Sequence, residues 1–140
     1  MNAIEKAAYL VDAIRRLRED WSLRPRHPFL SPASCVPTML RGGEWMVSYP
    51  AKCRLDCHIE YLPAQADDRG WGSLVEREFE ECIARAAAAD PWLNEHPPQV
   101  QWLVGGVPPA EVALTEPIVT ALLDAEAGLG RTPRIGGLDN

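Results

Sequence analysis

The chain lacks any long apolar run, although 46% of its 140 residues are hydrophobic. Its apolar runs are far shorter than the roughly 18 residues that a membrane-spanning helix needs, so we expect no membrane partner. The first residues also lack the pattern of a signal peptide, which is a basic region followed by an apolar core. From these features we expect a cytoplasmic protein.

Positive charge is scarce as well. The chain has 14 lysines and arginines against 20 aspartates and glutamates, which gives a net charge of −6. Proteins that bind nucleic acid usually carry a basic surface that neutralises phosphate groups, so the sequence argues against a nucleic-acid partner. The length is typical of one globular domain with a tail.

Sequence motifs of catalysis and metal binding are missing. The chain has no H-E-x-x-H, no G-x-S-x-G and no pair of C-x-x-C runs. Cys53-x-x-x-Cys57 followed by His58 has the residue types of a metal site, but residues four apart in a strand are separated by about 13 Å. Two ligands of one zinc ion must each lie about 2.3 Å from it. We therefore predict no metal site there. Cys53, Cys57 and Cys82 fall on predicted apolar faces, so we expect reduced core cysteines.

The clearest pattern that is present runs through Lys52–Tyr61, where apolar or small residues alternate with polar ones. A period of two over this length predicts a strand with one buried face. The polar face carries Asp56, His58 and Glu60. A histidine between two carboxylates can serve in proton transfer, whereas a solvated sheet face is the commoner explanation, and both interpretations stay open here.

Helical patterns stand on either side of this strand. The first begins at Asn2, a capping residue that apolar residues follow at helical spacing. The second begins at Ser73 in an S-x-x-E capping pattern and ends at Asp90. A third is predicted to begin at Thr115 and to end at Gly128.

Two shorter segments are predicted as strands. Cys35–Leu40 contains Pro37, which cannot donate a ladder hydrogen bond, so this strand belongs at a sheet edge. The alternation over 100–104 predicts a further strand, and Ile135 is the start of another possible one. Trp92–Pro98 is predicted to be a loop because of its prolines.

The order of these elements predicts an α+β, ferredoxin-like fold, in which an antiparallel sheet carries two helices on one face. The first strand of that fold has no counterpart, and a C-terminal return helix follows the unit. The missing strand is normally central. We therefore expect that a partner supplies it, that the remaining strands close up, or that the chain is a fragment of a longer one.

Seven short runs together resemble one protein family. They are Asn2–Ala7, Gly42–Trp45, Tyr49–Leu55, Tyr61–Pro63, Asp90–Leu93, His96–Val100 and Leu129–Pro133. Their order and spacing are similar to those of the dimerisation (lid) domain of a metal-dependent hydrolase family. That family comprises acetylornithine deacetylase, succinyl-diaminopimelate desuccinylase, aminoacylase and carboxypeptidase, and the similarity covers nearly the whole chain.

The resemblance implies a parent enzyme whose separate catalytic domain holds two zinc ions and hydrolyses an amide of an N-acyl amino acid or small peptide. Residues 1–108 would form the lid, which closes over the substrate, and 109–140 would return the chain toward the catalytic domain. A homodimer would form through the lid edge strand. The implied interface residues are Cys35, Val36, Thr38 and Leu40, and the implied substrate-facing lid surface carries His58 and Glu60.

This chain also departs from the family pattern. It has no counterpart of the family's metal ligands, so we expect neither a catalytic nor a metal-binding residue, and we predict that the chain alone does not hydrolyse amides. Val47 and Glu60 replace an asparagine and an arginine that some members use to hold the substrate. The family's lid histidine precedes the Asn2–Ala7 run, and we expect it to lie outside this chain. The alternative function is that of a free-standing ferredoxin-like module that binds a protein or a small ligand.

Overall fold

The computed structural model describes residues 1–24, 26–103 and 107–137. Its elements confirm the α+β class and are compatible with a small ferredoxin-like domain. In chain order they are α1 (Ala3–Ser22), β1 (Ser34–Gly42), β2 (Cys53–Glu60), a 3-10 turn (Pro63–Gln65), α2 (Ser73–Ala89), α3 (Pro91–Glu95) and α4 (Pro117–Gly128).

Helix α1 begins where the sequence predicts, because Asn2 caps it. The Asn2 side chain accepts a hydrogen bond from the Ile4 backbone N–H at 3.0 Å and donates one to the Glu5 carboxylate at 3.2 Å. A capping side chain satisfies one of the backbone N–H groups that have no partner within the helix. The buried stripe of α1 repeats at helical spacing and consists of Ala7, Leu10, Ile14, Leu17 and Trp21.

Strands β1 and β2 form an antiparallel sheet, and the register pairs Cys35 with Ile59 and Gly42 with Cys53. The register shifts between Pro37 and Met39, so that Thr38 is the extra residue of a β-bulge. Beyond the bulge the strands pair again, and paired residues such as Leu40 and Leu55 lie on the same face of the sheet. One face of the hairpin is therefore apolar throughout, and the other is mostly polar but also carries Val36 and Met39.

The core lies between the apolar face of the hairpin and helices α1 and α2. Its most deeply buried side chains are Ile14, Trp21, Cys35 and Val75, each no more than 1% exposed. Leu55, Cys57, Ile59 and Tyr61 pack against this cluster from β2 and the residue that follows it. The helices thus cover one face of the sheet, as a ferredoxin-like fold requires.

The strand predicted over 100–104 is wrong for its described part, since residues 99–103 form no strand. Residue 104 lies outside the described residues. Trp102 instead packs on α2: its indole Nε1 donates to the Glu80 carboxylate at 2.7 Å, and its ring meets Phe79 edge to face at 5.9 Å. At Ile135, where a further strand was considered, the described residues 131–137 are irregular, and residues 138–140 lie outside the described residues.

The helix starts also differ from prediction. Gly72, rather than Ser73, is the N-cap of α2, and the Ser73 hydroxyl donates to the Asp67 carboxylate at 2.7 Å. That hydrogen bond is the largest cause of a lowered pKa of Asp67. The N-cap of α4 is Glu116 and not Thr115.

The segment Trp92–Pro98, predicted as a loop, begins with helix α3 instead. The Asp90 carboxylate caps this helix by accepting hydrogen bonds from the backbone N–H groups of Trp92 and Leu93. Asp90 therefore ends α2 and also begins α3. None of the helices in the described ranges is both long enough and apolar enough to cross a membrane.

Candidate dimer edge and outer sheet face

One edge of β1 has no strand beside it within the described residues, since the sheet that they form consists of β1 and β2. Backbone N–H and C=O groups along an unpaired edge can pair with a strand from another chain. Helix α1 lies against the same strand and belongs to the same core. A chain that approached this edge would therefore meet both a strand and a helix.

Cys35 of the predicted interface faces inward. Its side chain is fully buried, and its thiol donates to the Ile14 carbonyl of α1 at 3.6 Å. Burial raises the pKa of the Cys35 thiol to about 12. Only the backbone of this residue is therefore available to a partner at the edge.

The other three predicted interface residues are more accessible. Val36 is half-buried and pairs with His58 across the sheet. Thr38 is exposed, but its hydroxyl donates to the Asp56 carbonyl at 3.2 Å and so supports the bulge. Leu40 is 46% exposed, so it is the apolar side chain of this set with the most surface for a partner to bury.

His58 and Glu60 share the polar face of the sheet, which we call the outer face. The His58 Nδ1 atom lies 4.0 Å from Glu60 Oε1, and the second oxygen of Glu60 accepts a hydrogen bond from the Ser34 hydroxyl at 2.9 Å. The imidazole is 54% exposed. The pair can therefore donate and accept hydrogen bonds toward a ligand above the sheet, but it is not enclosed by apolar residues.

Residues that could hold a metal ion are not brought together in the part of the chain that the structure describes. No group of three or more His, Cys, Asp or Glu side chains is placed to bind one there. Cys53 and Cys57 lie on the core side of β2, and burial raises the pKa of Cys57 to about 11. These residues do not fit the two zinc ions that the resemblance implies for a parent enzyme.

The hairpin carries an exposed apolar tip that the sequence patterns did not predict. The turn from Trp45 to Ser48 is closed by a backbone hydrogen bond of 3.1 Å. Four side chains of this tip are between 67% and 88% exposed: Trp45, Met46, Val47 and Tyr49. Four bulky apolar residues in one turn between two strands are the sequence signal that could have identified the tip.

The sequence patterns also did not predict that two arginines lie opposite each other on neighbouring strands. Arg41 of β1 and Arg54 of β2 are cross-strand partners on the outer face. Strand periodicity alone could not find this pair, because the register depends on the bulge at Thr38.

Two comparisons with known proteins agree with each other. The sequence profile of a family described as the peptidase dimerisation domain matches residues 1–89. The chain is also 30% identical, over 103 residues, to the N-formyl-4-amino-5-aminomethyl-2-methylpyrimidine deformylase of Halalkalibacterium halodurans. That alignment covers 72% of this chain and 23% of the relative, so the chain spans about a quarter of the relative's length. No solved structure matches the chain.

Proposed function

Because this chain belongs to the peptidase dimerisation domain family, we propose that it joins two copies of a larger amide-hydrolysing enzyme through the free edge of β1. The observation that carries the proposal is this unpaired edge, with α1 packed beside it. Two copies related by a two-fold axis would place one β1 antiparallel to the other and extend the sheet across the dimer. The family match favours this function over that of a free-standing interaction or ligand-binding module.

The proposed interface uses the backbone of Cys35 and the side chains of Val36, Thr38 and Leu40. Pro37 and the bulge at Thr38 interrupt regular pairing in the middle of β1. The segment after the bulge is exposed throughout, and it includes Leu40. We expect that segment to contribute most of the apolar area that the dimer buries.

In the proposed parent enzyme this module is a lid that closes over the substrate, and it is not itself catalytic. Closing a lid excludes water and completes the substrate site. The outer face, with His58 and Glu60, would be the substrate-facing surface. Zinc would belong to the catalytic domain of the parent, where it would supply an activated water.

The class of reaction is proposed by analogy with the relative, whose name describes the removal of a formyl group from an amine. A parent enzyme of this chain would cleave an N-acyl or N-formyl amide. The substrate itself is not fixed by that analogy, because the relative is similar over only about a quarter of its own length.

Residues 109–140 are proposed to lead from the lid toward the catalytic domain. Helix α4 supports this division because none of its residues is buried, although Ile118 and Leu122 are apolar. An apolar helix that buries none of its residues against the described part of the chain is suited to a contact elsewhere. Residues 1–108 would then form the lid as one unit.

A substitution at the edge tests the location of the interface. In Leu40→Lys, a charge replaces the most exposed apolar side chain of the proposed interface. Leu122→Lys makes the same change on α4, where Leu122 is 60% exposed. By sedimentation velocity we expect the wild type and Leu122→Lys to be dimers and Leu40→Lys to be a folded monomer. A Leu40→Lys dimer as tight as the wild type would contradict the proposed interface.

A further inference from the structure

Arg41 and Arg54 occupy opposite positions on neighbouring strands, and both side chains lie on the outer face. Like charges directly opposite each other in an antiparallel pair destabilise the sheet. The chain as a whole is acidic, with a net charge of −6, so a surplus of arginine does not explain the pairing. Two arginines at paired positions on one face of the sheet favour a negative partner there.

The carboxylates of the described residues satisfy this pair only in part. Arg54 donates from Nε to Asp56 Oδ1 at 2.6 Å. Arg41 donates from Nη2 to the Met39 sulfur at 3.1 Å, and no described carboxylate lies within ion-pair distance of it. Each guanidinium therefore keeps N–H groups free for a ligand, and such groups bind planar oxyanions with two parallel hydrogen bonds.

We propose that Arg41 and Arg54 form an anion-binding site on the outer face that takes the carboxylate group of a small organic molecule. The two arginines and Asp56 together carry one net positive charge, which matches a singly charged carboxylate better than a doubly charged phosphate. Met39 is 46% exposed and lies beside Arg41, so it offers an apolar surface to the rest of the ligand. The site lies on the face proposed above to meet the substrate, but its test needs neither the dimer nor the parent enzyme.

The test uses the 140-residue chain labelled with nitrogen-15 and titrated with benzoate at constant ionic strength. We expect saturable shifts of the Arg41 and Arg54 side-chain Nε–H signals, with benzoate binding more tightly than acetate because its ring covers Met39. Benzamide, which has the same ring without the charge, should give no such shifts. Inorganic phosphate should bind more weakly than benzoate.

The matched variants are Arg41→Gln and Arg54→Gln, with Arg77→Gln as the control because Arg77 is exposed on α2. Each of the first two should weaken benzoate binding by about tenfold, as expected for the loss of a charged hydrogen-bond donor. Binding that is equal in Arg41→Gln and Arg77→Gln would overturn the proposal. So would shifts that benzamide reproduces, the absence of saturable shifts, or tighter binding of phosphate.

A second measurement does not need a ligand. If the two arginines repel each other in the free chain, Arg41→Gln should unfold at a higher urea concentration than the wild type in low salt. The difference should shrink as added salt screens the charges. A lower midpoint for Arg41→Gln would mean that Arg41 stabilises the fold, which would contradict the repulsion from which the site is inferred.

Discussion

Trp21, near the end of α1, donates a hydrogen bond from its indole Nε1 to the Glu78 carboxylate of α2 at 2.8 Å. The Trp21 side chain is only 1% exposed, so the ring fills the core while its one polar atom reaches a partner at the surface. Arg24 binds the same carboxylate at 2.7 Å. This contact joins the two helices that cover the sheet.

Replacing Trp21 should therefore destabilise the chain strongly. We expect Trp21→Ala to lower the free energy of unfolding by about 3–5 kcal/mol, because it leaves a large cavity. Trp21→Phe, which loses the hydrogen bond but keeps most of the ring volume, should cost about 1–3 kcal/mol. Urea denaturation followed by circular dichroism measures both values.

The control for this prediction is Trp45→Phe at the hairpin tip, where the side chain is 67% exposed. A change at this position should stay within about 0.5 kcal/mol of the wild type. An effect of Trp21→Ala no larger than that of Trp45→Phe would mean that α1 and α2 do not pack as described.

Gly42 lies where the last residue pair of the hairpin contacts α1, and a side chain at this position would come too close to its neighbours. A Cβ atom added there would lie 2.9 Å from Ile4 Cγ1 and 3.0 Å from the Cys53 sulfur. Both atoms belong to half-buried side chains that would have to shift, so Gly42→Ala should lower the free energy of unfolding by about 1–3 kcal/mol. Gly136→Ala is the matched control because nothing lies within 4 Å of its added Cβ. Equal urea midpoints for the two variants would refute the close contact between β1 and α1.

The cysteines should differ in reactivity according to burial. Burial raises the pKa of Cys35 to about 12 and that of Cys57 to about 11, and Cys82 is also buried with a raised pKa. Since the thiolate is the reactive form, a disulfide reagent at pH 8 should modify the less buried Cys53 first. Cys53→Ser should abolish this early phase, and the other thiols should react fully only in urea. An early phase that survives in Cys53→Ser would contradict the assigned burial.

Asp90 should make the free energy of unfolding depend on pH below neutrality. Its carboxylate accepts a hydrogen bond from the Lys6 ammonium at 2.6 Å, which is the largest cause of a pKa lowered from the ordinary 3.8. A lowered pKa contributes stability that is complete above the unfolded value and is lost as the pH falls through the folded value. The advantage of the wild type over Asp90→Asn should therefore be constant near neutral pH and shrink below about pH 5.

Unfolding in urea at a series of pH values measures this dependence. Asp68→Asn is the control, since Asp68 is an exposed aspartate outside the Lys6 ion pair. A constant difference between the wild type and Asp90→Asn down to pH 3 would show that the ionised pair does not contribute.

Local sequence patterns were sufficient for the main elements. The period of two in β2 and the helical spacing in α1 and α2 each come from one face that must be buried, so the pattern and the structure have the same cause. β1 lies at a sheet edge, as Pro37 predicts, but β2 does too, because the sheet of the described residues has two strands. The candidate interface of Cys35, Val36, Thr38 and Leu40 stays a prediction, and so does the role of His58 and Glu60.

The failures arose where distant contacts decide the structure. Trp102 lies in an alternating run, yet its ring and its N–H group find Phe79 and Glu80 on α2, and these contacts replace strand pairing. Asp90 before a proline predicts only a helix end, although its side chain also caps α3. The opposed arginines depend on the bulge at Thr38, which no periodic pattern reports.

The central claim is that the free edge of β1 joins two copies of this chain. The most direct test is the mass of the purified 140-residue chain in solution, measured by light scattering at two concentrations. We expect about twice the mass of one chain, which is 15.5 kDa, and a dimer that persists on dilution. A well-folded monomer at both concentrations would contradict the claim and remove the dimer assignment from β1.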